Sequence, residues 1–283
     1  MKLIIDIGGT RGRWYIVDKS IIFSFETEGF NPFTSNISVL RKILGDIKNS
    51  FDFNSIKAIY YYGAGISSEN KTIEVKNLLQ TFFVRSTIEL NSDLLGSCRA
   101  LCDNKEGVVC ILGTGSNSCY YDGKKIVHKI NSLGHLLGDE GSGYDMGKKF
   151  LIKYLRDELT EDINIHFSKE FDVSKNILER LYISNNREKF IASISKFVSE
   201  NKENDFVYAF IHNHFNKYFD KIILKYSCKN VYMTGSVAHY FKNEIEKTAK
   251  EKGYTINEIV KDPIKHLCDF HIHFLLVMYD HQF

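Results

Sequence analysis

Short apolar runs broken by glycine and hydroxyl residues fill roughly the first 130 positions, and helical spacing takes over from Gly143. Leu3 to Ile7 reads as a buried strand, and Arg13 to Val17 and Ile21 to Phe25 follow closely enough to make an antiparallel meander. Ile37, Leu40, Ile43, Leu44 and Ile47 share one helical face and predict a helix over Phe33 to Lys48. A strand over Ile56 to Tyr61, a helix over Lys71 to Phe83 and a strand over Val84 to Leu90 follow. A helix over Asn91 to Leu101, capped by Asn91 or Ser92, closes this half.

The pattern then restarts. Val108 to Leu112 is an apolar strand ending in Gly-Thr-Gly, and Asn117 to Tyr121 and Lys125 to Ile130 flank the turn Tyr-Asp-Gly-Lys, whose Asp-Gly pair signals a hairpin. The chain is mostly helical from Gly143 to about Tyr226, with a short strand at Val231 to Met233 and a helix from about Val237. A last helix starts near Pro263, since proline suits a helix's first turn. Strand, glycine-hydroxyl turn and strand thus occur twice, as IDIGGTRGRW at 5–14 and CILGTGSNSC at 110–119. Two ordinary hairpins would look the same, but recurrence in both halves favours two similarly built α/β domains facing a cleft. Their expected spans are 1–106 and 107–283, the last helix free to return and pack on the first domain.

Composition narrows the function classes. With 37 basic and 35 acidic residues, the net charge of +2 leaves no electrostatic footprint for nucleic acid. No apolar run approaches the roughly 18–20 residues of a membrane span, and MKLIIDIGGT is too short in apolar residues for a signal-peptide core. Cys98, Cys102, Cys110, Cys119, Cys228 and Cys268 lie in apolar contexts without a repeated spacing, so reduced thiols in the cytoplasm are expected.

Three turns carry candidate chemistry. In Asp6-Ile7-Gly8-Gly9-Thr10-Arg11, successive glycine amides can face a phosphate without side-chain interference, and Thr10 adds a hydroxyl donor. Asp6 would repel a phosphate directly but can reach it through Mg2+, which typically uses one or two carboxylates plus substrate phosphates. The turn is neither GxxxxGK[ST] nor GxGxxG. Gly113-Thr114-Gly115-Ser116-Asn117 has the same small and hydroxylated make-up, and Thr234-Gly235-Ser236-Val237 follows a strand and opens a helix, offering bare backbone to a ligand. The densest stretch, GHLLGDEGSGYDMG at 134–147, gathers five glycines around Asp139 and Glu140. An acidic surface loop could look like this; a backbone brought close to a small polar ligand explains the glycines better.

The motifs DIGGT, LNSDLLGS, LGTGSNS, GHLLGDEGSGYDMG and TGSVA, in this order from residue 4 to about 240, resemble the N-acetylglucosamine kinase and BadF/BadG/BcrA/BcrD ATPase family. DPIKHL at 262–267 resembles its closing helix more weakly. The resemblance implies two ribonuclease-H-like (actin-like ATPase) domains with a central cleft, and transfer of the γ-phosphoryl of ATP to an amino sugar. The 6-hydroxyl of N-acetylglucosamine is the foremost acceptor. Asp6 would hold Mg2+ through water, and Gly8, Gly9, Thr10, Thr114 and Gly115 would contact the ATP phosphates. Gly235 and Ser236 would lie beside the adenosine. Asn31, Asn117, Gly134 and Asp139 would bind the sugar, and Asp93 would be the general base. Glu140 would contact substrate or hold its loop, and His135 would orient the carboxylates or line the sugar pocket. The first loop departs from many relatives at Arg11 and Trp14, where they have a third glycine and a small residue.

The rival readings are an ATPase coupling hydrolysis to a partner protein, and a non-catalytic sugar sensor. Apart from the resemblance, Asp93 also reads as a carboxylate favoured at a helix N-terminus by the dipole. His266, Cys268, His271 and His273 lack a paired CxxC or HExxH, so a packed helix is preferred to a zinc site. Cys98 and Cys102 show no motif for a dimer-bridging cluster. A homodimer is left open, as is the identity of the sugar among N-acetylglucosamine, N-acetylmuramic acid and glucosamine.

Overall fold

The computed structural model describes residues 1–48, 53–66, 68–171, 177–183 and 187–280, the side chains of Arg180 and of residues 273–280 excepted. The stretches 172–176 and 184–186, part of the expected helical region, lie outside the described residues. The chain forms two compact units: Met1–Lys105 with Tyr121–Ile126 and Asp262–Phe283, and Glu106–Tyr120 with Val127–Lys261.

The first unit is built on a sheet of order β3-β2-β1-β4-β5, from β1 (Lys2–Ile7), β2 (Arg11–Val17), β3 (Ile21–Glu28), β4 (Ala58–Gly63) and β5 (Thr87–Ser92). The meander β1-β2-β3 is antiparallel, whereas β1, β4 and β5 run parallel. The links from β3 to β4 and from β4 to β5 carry α1 (Ile37–Lys48) and α2 (Glu69–Phe82), and α3 (Asp93–Cys102) follows β5. Leu3, Ile5 and Ile7 cluster with Leu40, Leu44, Val75 and Leu79 of α1 and α2. A strand with both faces covered reads as a continuous apolar run, which is why β1 is so plain in the sequence.

The second unit repeats this plan. Its sheet has the order β10-β9-β6-β7-β8, from β6 (Glu106–Leu112), β7 (Ser116–Asp122), β8 (Ile126–Ile130), β9 (Asn230–Thr234) and β10 (Thr255–Val260). The three-residue link from β6 returns the chain antiparallel along β7, while β9 runs parallel to both β6 and β10. Between β8 and β9 come α4 (Gly134–Leu137), α5 (Gly143–Leu155), α6 (Glu161–Glu170), α7 (Ile177–Ile183), α8 (Arg187–Glu200) and α9 (Asp205–Lys221). The helices α10 (Ser236–Tyr240) and α11 (Lys242–Glu251) link β9 to β10. Phe150, Phe167, Phe197, Phe210, Phe215 and Phe219 pack in the core against Val108, Cys110 and Met233 of this sheet. Both units therefore carry the ribonuclease-H-like arrangement, a meander continued by parallel crossovers.

The final helix, α12 (Ile264–Asp280), belongs to the first unit. Ile264, Leu267 and Cys268 cover Ile4, Val17 and Tyr62 on the sheet face opposite α1 and α2. His271 is buried there, its Nε2 2.7 Å from Tyr62 Oη, which also accepts from Arg99 Nη1 at 2.7 Å. This is the packed-helix alternative for the histidine-rich segment. Among the described residues no three His, Cys, Asp or Glu side chains gather to hold a metal ion, and no helix is long and apolar enough to cross a membrane.

Three local expectations need correction. The helix expected from Phe33 begins at Ile37, because Asn31 holds the following residues in a turn, its Oδ1 accepting from Phe33 N and its carbonyl from Thr34 N and Ser35 N. The strand expected from Val84 begins at Thr87, because the backbone first turns at Phe83, whose carbonyl accepts from Ser86 N. The helix expected from about Val237 is broken at Phe241 into α10 and α11. Strand β10 had no counterpart in the sequence reading: a register shift between Ile256 and Glu258 interrupts its alternation.

Burial, with Arg99 and Lys2 nearby, pushes His271 down to about 3, below the unfolded histidine value of about 6.5. The unfolded chain then binds more protons, so this group's contribution is complete above pH of about 6.5 and is lost as the pH falls toward 3. Replacing His271→Phe should flatten the dependence of unfolding free energy on pH between about 6.5 and 4, measured by urea denaturation.

Candidate functional site

In the first unit the candidate residues collect where the parallel strands β1, β4 and β5 end, the edge at which open α/β sheets commonly bind ligands. Asp6 lies in β1 and the Gly8-Gly9-Thr10 turn joins β1 to β2, closed by Gly8 N donating to Arg11 O at 2.9 Å. The chain leaving β3 straps this turn from outside: Gly29 N donates to Thr10 O at 3.1 Å and Phe30 N to Gly8 O at 3.0 Å. A Cβ on Gly29 would collide with Gly8 O and Thr10 N, so only glycine permits the approach. Asn31 follows directly, part-buried, with its Oδ1 used to form its own turn.

Asp93 opens α3 immediately after β5. Ser92 caps the helix, its Oγ accepting from Leu95 N at 3.2 Å, and Asp93 Oδ1 accepts from Leu94 N at 2.8 Å. Sheet register sets Ser92 beside Gly63 and Gly63 beside Ile7, so Asp93 and Gly8 stand one residue beyond the same row.

Asp6 is surrounded by charge. Arg13 Nη1 is 3.6 Å from its Oδ2, and Arg13 Nε pairs with Asp262. Burial raises the Asp6 carboxyl to about 7, with Arg13 opposing and Asp262 and Asp93 adding to the rise. Arg11 and Trp14 stay clear of the turn's inner face: Arg11 Nη1 lies 3.4 Å from Glu26, and the buried Trp14 donates from Nε1 to Thr27 Oγ1 at 2.9 Å.

The second unit assembles its own set at the ends of β6 and β9. Gly113 N donates to Gly115 O at 3.0 Å, closing the Gly-Thr-Gly turn. The first two amides of α5, otherwise without helical partners, are satisfied by this turn: Gly143 N donates to Gly113 O at 2.8 Å and Tyr144 N to Thr114 O at 3.1 Å. Ser142 caps the helix through Asp145 N, while Asp145 accepts from Gly141 N and Lys149. Gly235, at φ +112°, has its α-carbon against Leu112 O, which leaves no room for a Cβ and brings the Thr-Gly-Ser turn onto the end of β6. Ser236 then opens α10.

Asp139 adopts φ +58°, a left-handed conformation that aspartate tolerates better than most residues. Its Oδ1 accepts from Ser116 N at 3.3 Å, one residue from Asn117, whose Oδ1 accepts from Ser118 N. Burial raises its pKa, against the Ser116 amide and His135. Gly134, at φ +67°, starts the short α4, and its carbonyl accepts from Gly138 N at 2.8 Å. Glu140 lies 3.6 Å from Lys221, and His135 lies 3.6 Å from Glu188 with its ring edge-on to Tyr144.

The sequence reading had passed over Gly29, the Arg13–Asp262 pair and the helix cap at Ser142. Only the last had a local signal, the S-x-x-D spacing that favours a helix start. Asp6, Gly8, Gly9, Thr10, Asn31 and Asp93 fall in the first set, and Thr114, Gly115, Asn117, Gly134, Asp139, Gly235 and Ser236 in the second.

Comparison with known proteins bears on this arrangement. No family model matches the chain. The structure aligns with that of a candidate N-acetylglucosamine kinase from Porphyromonas gingivalis at a TM-score of 0.91 and 31% identity, covering 96% of this chain and 99% of the other. An N-acetylmuramic acid/N-acetylglucosamine kinase of Clostridium acetobutylicum is 25% identical over 219 residues, 70% of each chain. A ROK family glucokinase from Streptomyces griseus, solved with glucose and AMPPNP, shares the fold at a TM-score of 0.61 and 12% identity, covering 95% of this chain and 97% of that one.

The fold is that of the actin-like ATPase and sugar kinase superfamily. Within it, the chain belongs to the N-acetylglucosamine kinase and BadF/BadG/BcrA/BcrD ATPase family.

Substituting Gly29→Ala forces backbone apart and should cost about 1–3 kcal/mol in urea denaturation. The control Gly9→Ala, with nothing within 4 Å of the added methyl, should stay within about 0.5 kcal/mol of the parent.

Proposed function

We propose that the protein is a sugar kinase that transfers the γ-phosphoryl of ATP to an amino sugar, the 6-hydroxyl of N-acetylglucosamine being the acceptor. The observation that carries this reading is the placement of Asp93 at the helix start beside the row that ends in the Gly-Gly-Thr turn. A carboxylate there can receive an alcohol's proton while backbone amides hold the phosphates, the division of labour that phosphoryl transfer requires. The Porphyromonas and Clostridium relatives support the choice of an amino sugar.

Asp6 fits a divalent cation. Burial raises its carboxyl to about 7, with Arg13 opposing and Asp262 and Asp93 adding smaller increments, so a cation at this position would relieve the penalty of holding the charge out of water. Mg2+ held there through water would neutralise charge on the phosphate oxygens. Gly8, Gly9, Thr10, Thr114 and Gly115 are assigned to the ATP phosphates, and Gly235 and Ser236 to the adenosine. Asn31, Asn117, Gly134 and Asp139 are assigned to the sugar.

Alignment of hydroxyl and phosphate contributes more than proton removal. Orientation can supply about 7–11 kcal/mol of the barrier, against the roughly 10²–10⁴-fold of a general base. This ranks the rigid turns above the base itself as the source of rate.

The deciding measurement is ADP release with Mg-ATP across a panel of sugars. Strong dependence on N-acetylglucosamine is expected, with glucosamine 6-hydroxyl phosphorylation and N-acetylmuramic acid as the nearest competitors to score. ADP release without sugar would point instead to an ATPase driving a partner protein, and sugar binding without turnover to a sensor. Asp93→Asn should lower kcat by about 10²-fold or more while ATP still binds in calorimetry; near-normal turnover removes Asp93 from the base role. Asp139→Ala should act mainly on the sugar KM, and an unchanged KM removes its assignment to the sugar.

A further inference from the structure

Tyr61 is fully buried in β4, and its hydroxyl oxygen makes no hydrogen bond with any described group. A buried hydroxyl without a partner costs about 1–3 kcal/mol, so a purely structural position would favour phenylalanine. The ring runs along the strand rather than away from it. It lies over Gly63, where a Cβ would stand 3.0 Å from the Tyr61 hydroxyl. Gly63 pairs with Ile7 on one side and Ser92 on the other. The hydroxyl therefore reaches the last row of the sheet, one residue short of Gly8 and of Asp93.

Burial drives the Tyr61 pKa upward, and the charged groups that add to the rise are the carboxylates of Asp93, on α3, and of Asp6, on β1. The helices packed on this face, α1 and α2, bring apolar Leu40, Leu44, Val75 and Leu79 into the same cluster. A neutral, unpartnered phenol whose hydroxyl lies over Gly63, beside the row from which Asp93 continues, is a donor waiting for an acceptor.

We propose that Tyr61 is a positioning residue for Asp93: its O–H donates to the carboxylate when that carboxylate turns from the Leu94 amide toward the acceptor alcohol. This rests on Asp93 being the general base. A hydrogen bond to the charged form both fixes the carboxylate's direction and favours its ionised state.

The test is Tyr61→Phe, which keeps the ring and removes one oxygen. In an active enzyme kcat should fall about tenfold or more, with the sugar KM changed less than about threefold and the acid limb of kcat/KM moved to higher pH. Stability should hold or rise, because an unpaired hydroxyl has gone. A readout independent of turnover is carbon NMR titration of the aspartate carboxyls, with the Asp93 signal assigned by its loss in Asp93→Asn; its midpoint should be higher in Tyr61→Phe. An unchanged Asp93 titration overturns the proposal whatever the kinetics show, and so does an unchanged kcat in an active enzyme. Should the parent protein phosphorylate no sugar while the titration still moves, the kinase reading fails and the positioning of Asp93 by Tyr61 stands.

Discussion

Backbone lying directly against backbone is the contact on which both sets of site residues depend. At Gly29 the chain leaving β3 rests on the carbonyl of Gly8 and the amide of Thr10; at Gly235 the chain leaving β9 rests on the carbonyl of Leu112. A side chain at either place would hold the layers apart and release the turns beneath. The glycines inside the turns give freedom, but these two outside them take it away. The proposed role of these turns, holding a phosphate without reorganising, would use both.

Much of this could be read from the chain alone. The buried strand β1, the meander after it, the second strand–turn–strand and the helix opening at Ser92 all follow from local period, glycine and capping residues. What stayed hidden depends on partners distant in sequence. Arg13 and Asp262 meet because α12 returns to the first sheet, and nothing near either residue announces it. Likewise, the periodic pattern of HLCDFHIHF says that a helix is buried, with a return to the first domain open to it, but not which face of that sheet it covers. The start of α1 was misjudged for a local reason, since the apolar spacing does not reveal that Asn31 has already spent the preceding residues on a turn.

The charge around Asp6 shows how the scaffold prepares for chemistry at a cost to itself. Asp6 and Asp262 share Arg13, Asp93 adds to the charge felt by Asp6, and Tyr61 adds a buried hydroxyl without a partner. Ordinary packing would remove each of these features. Their presence together at one edge of one sheet is a departure from local consistency that the proposed function would explain. The second set shares the carbonyl-satisfied amides and the serine-capped helix of the first, and differs in that its turn is braced by the first amides of that helix.

The return of α12 has a consequence for how the molecule is made. Ile4, Val17 and Tyr62 belong to strands synthesised early, yet the residues that cover them, Ile264, Leu267 and Cys268, are translated after the whole second unit. Of the two units, the one whose strands are made earlier is thus the one completed later. Through most of translation it carries an uncovered apolar sheet face, the kind of surface that recruits chaperones or invites aggregation.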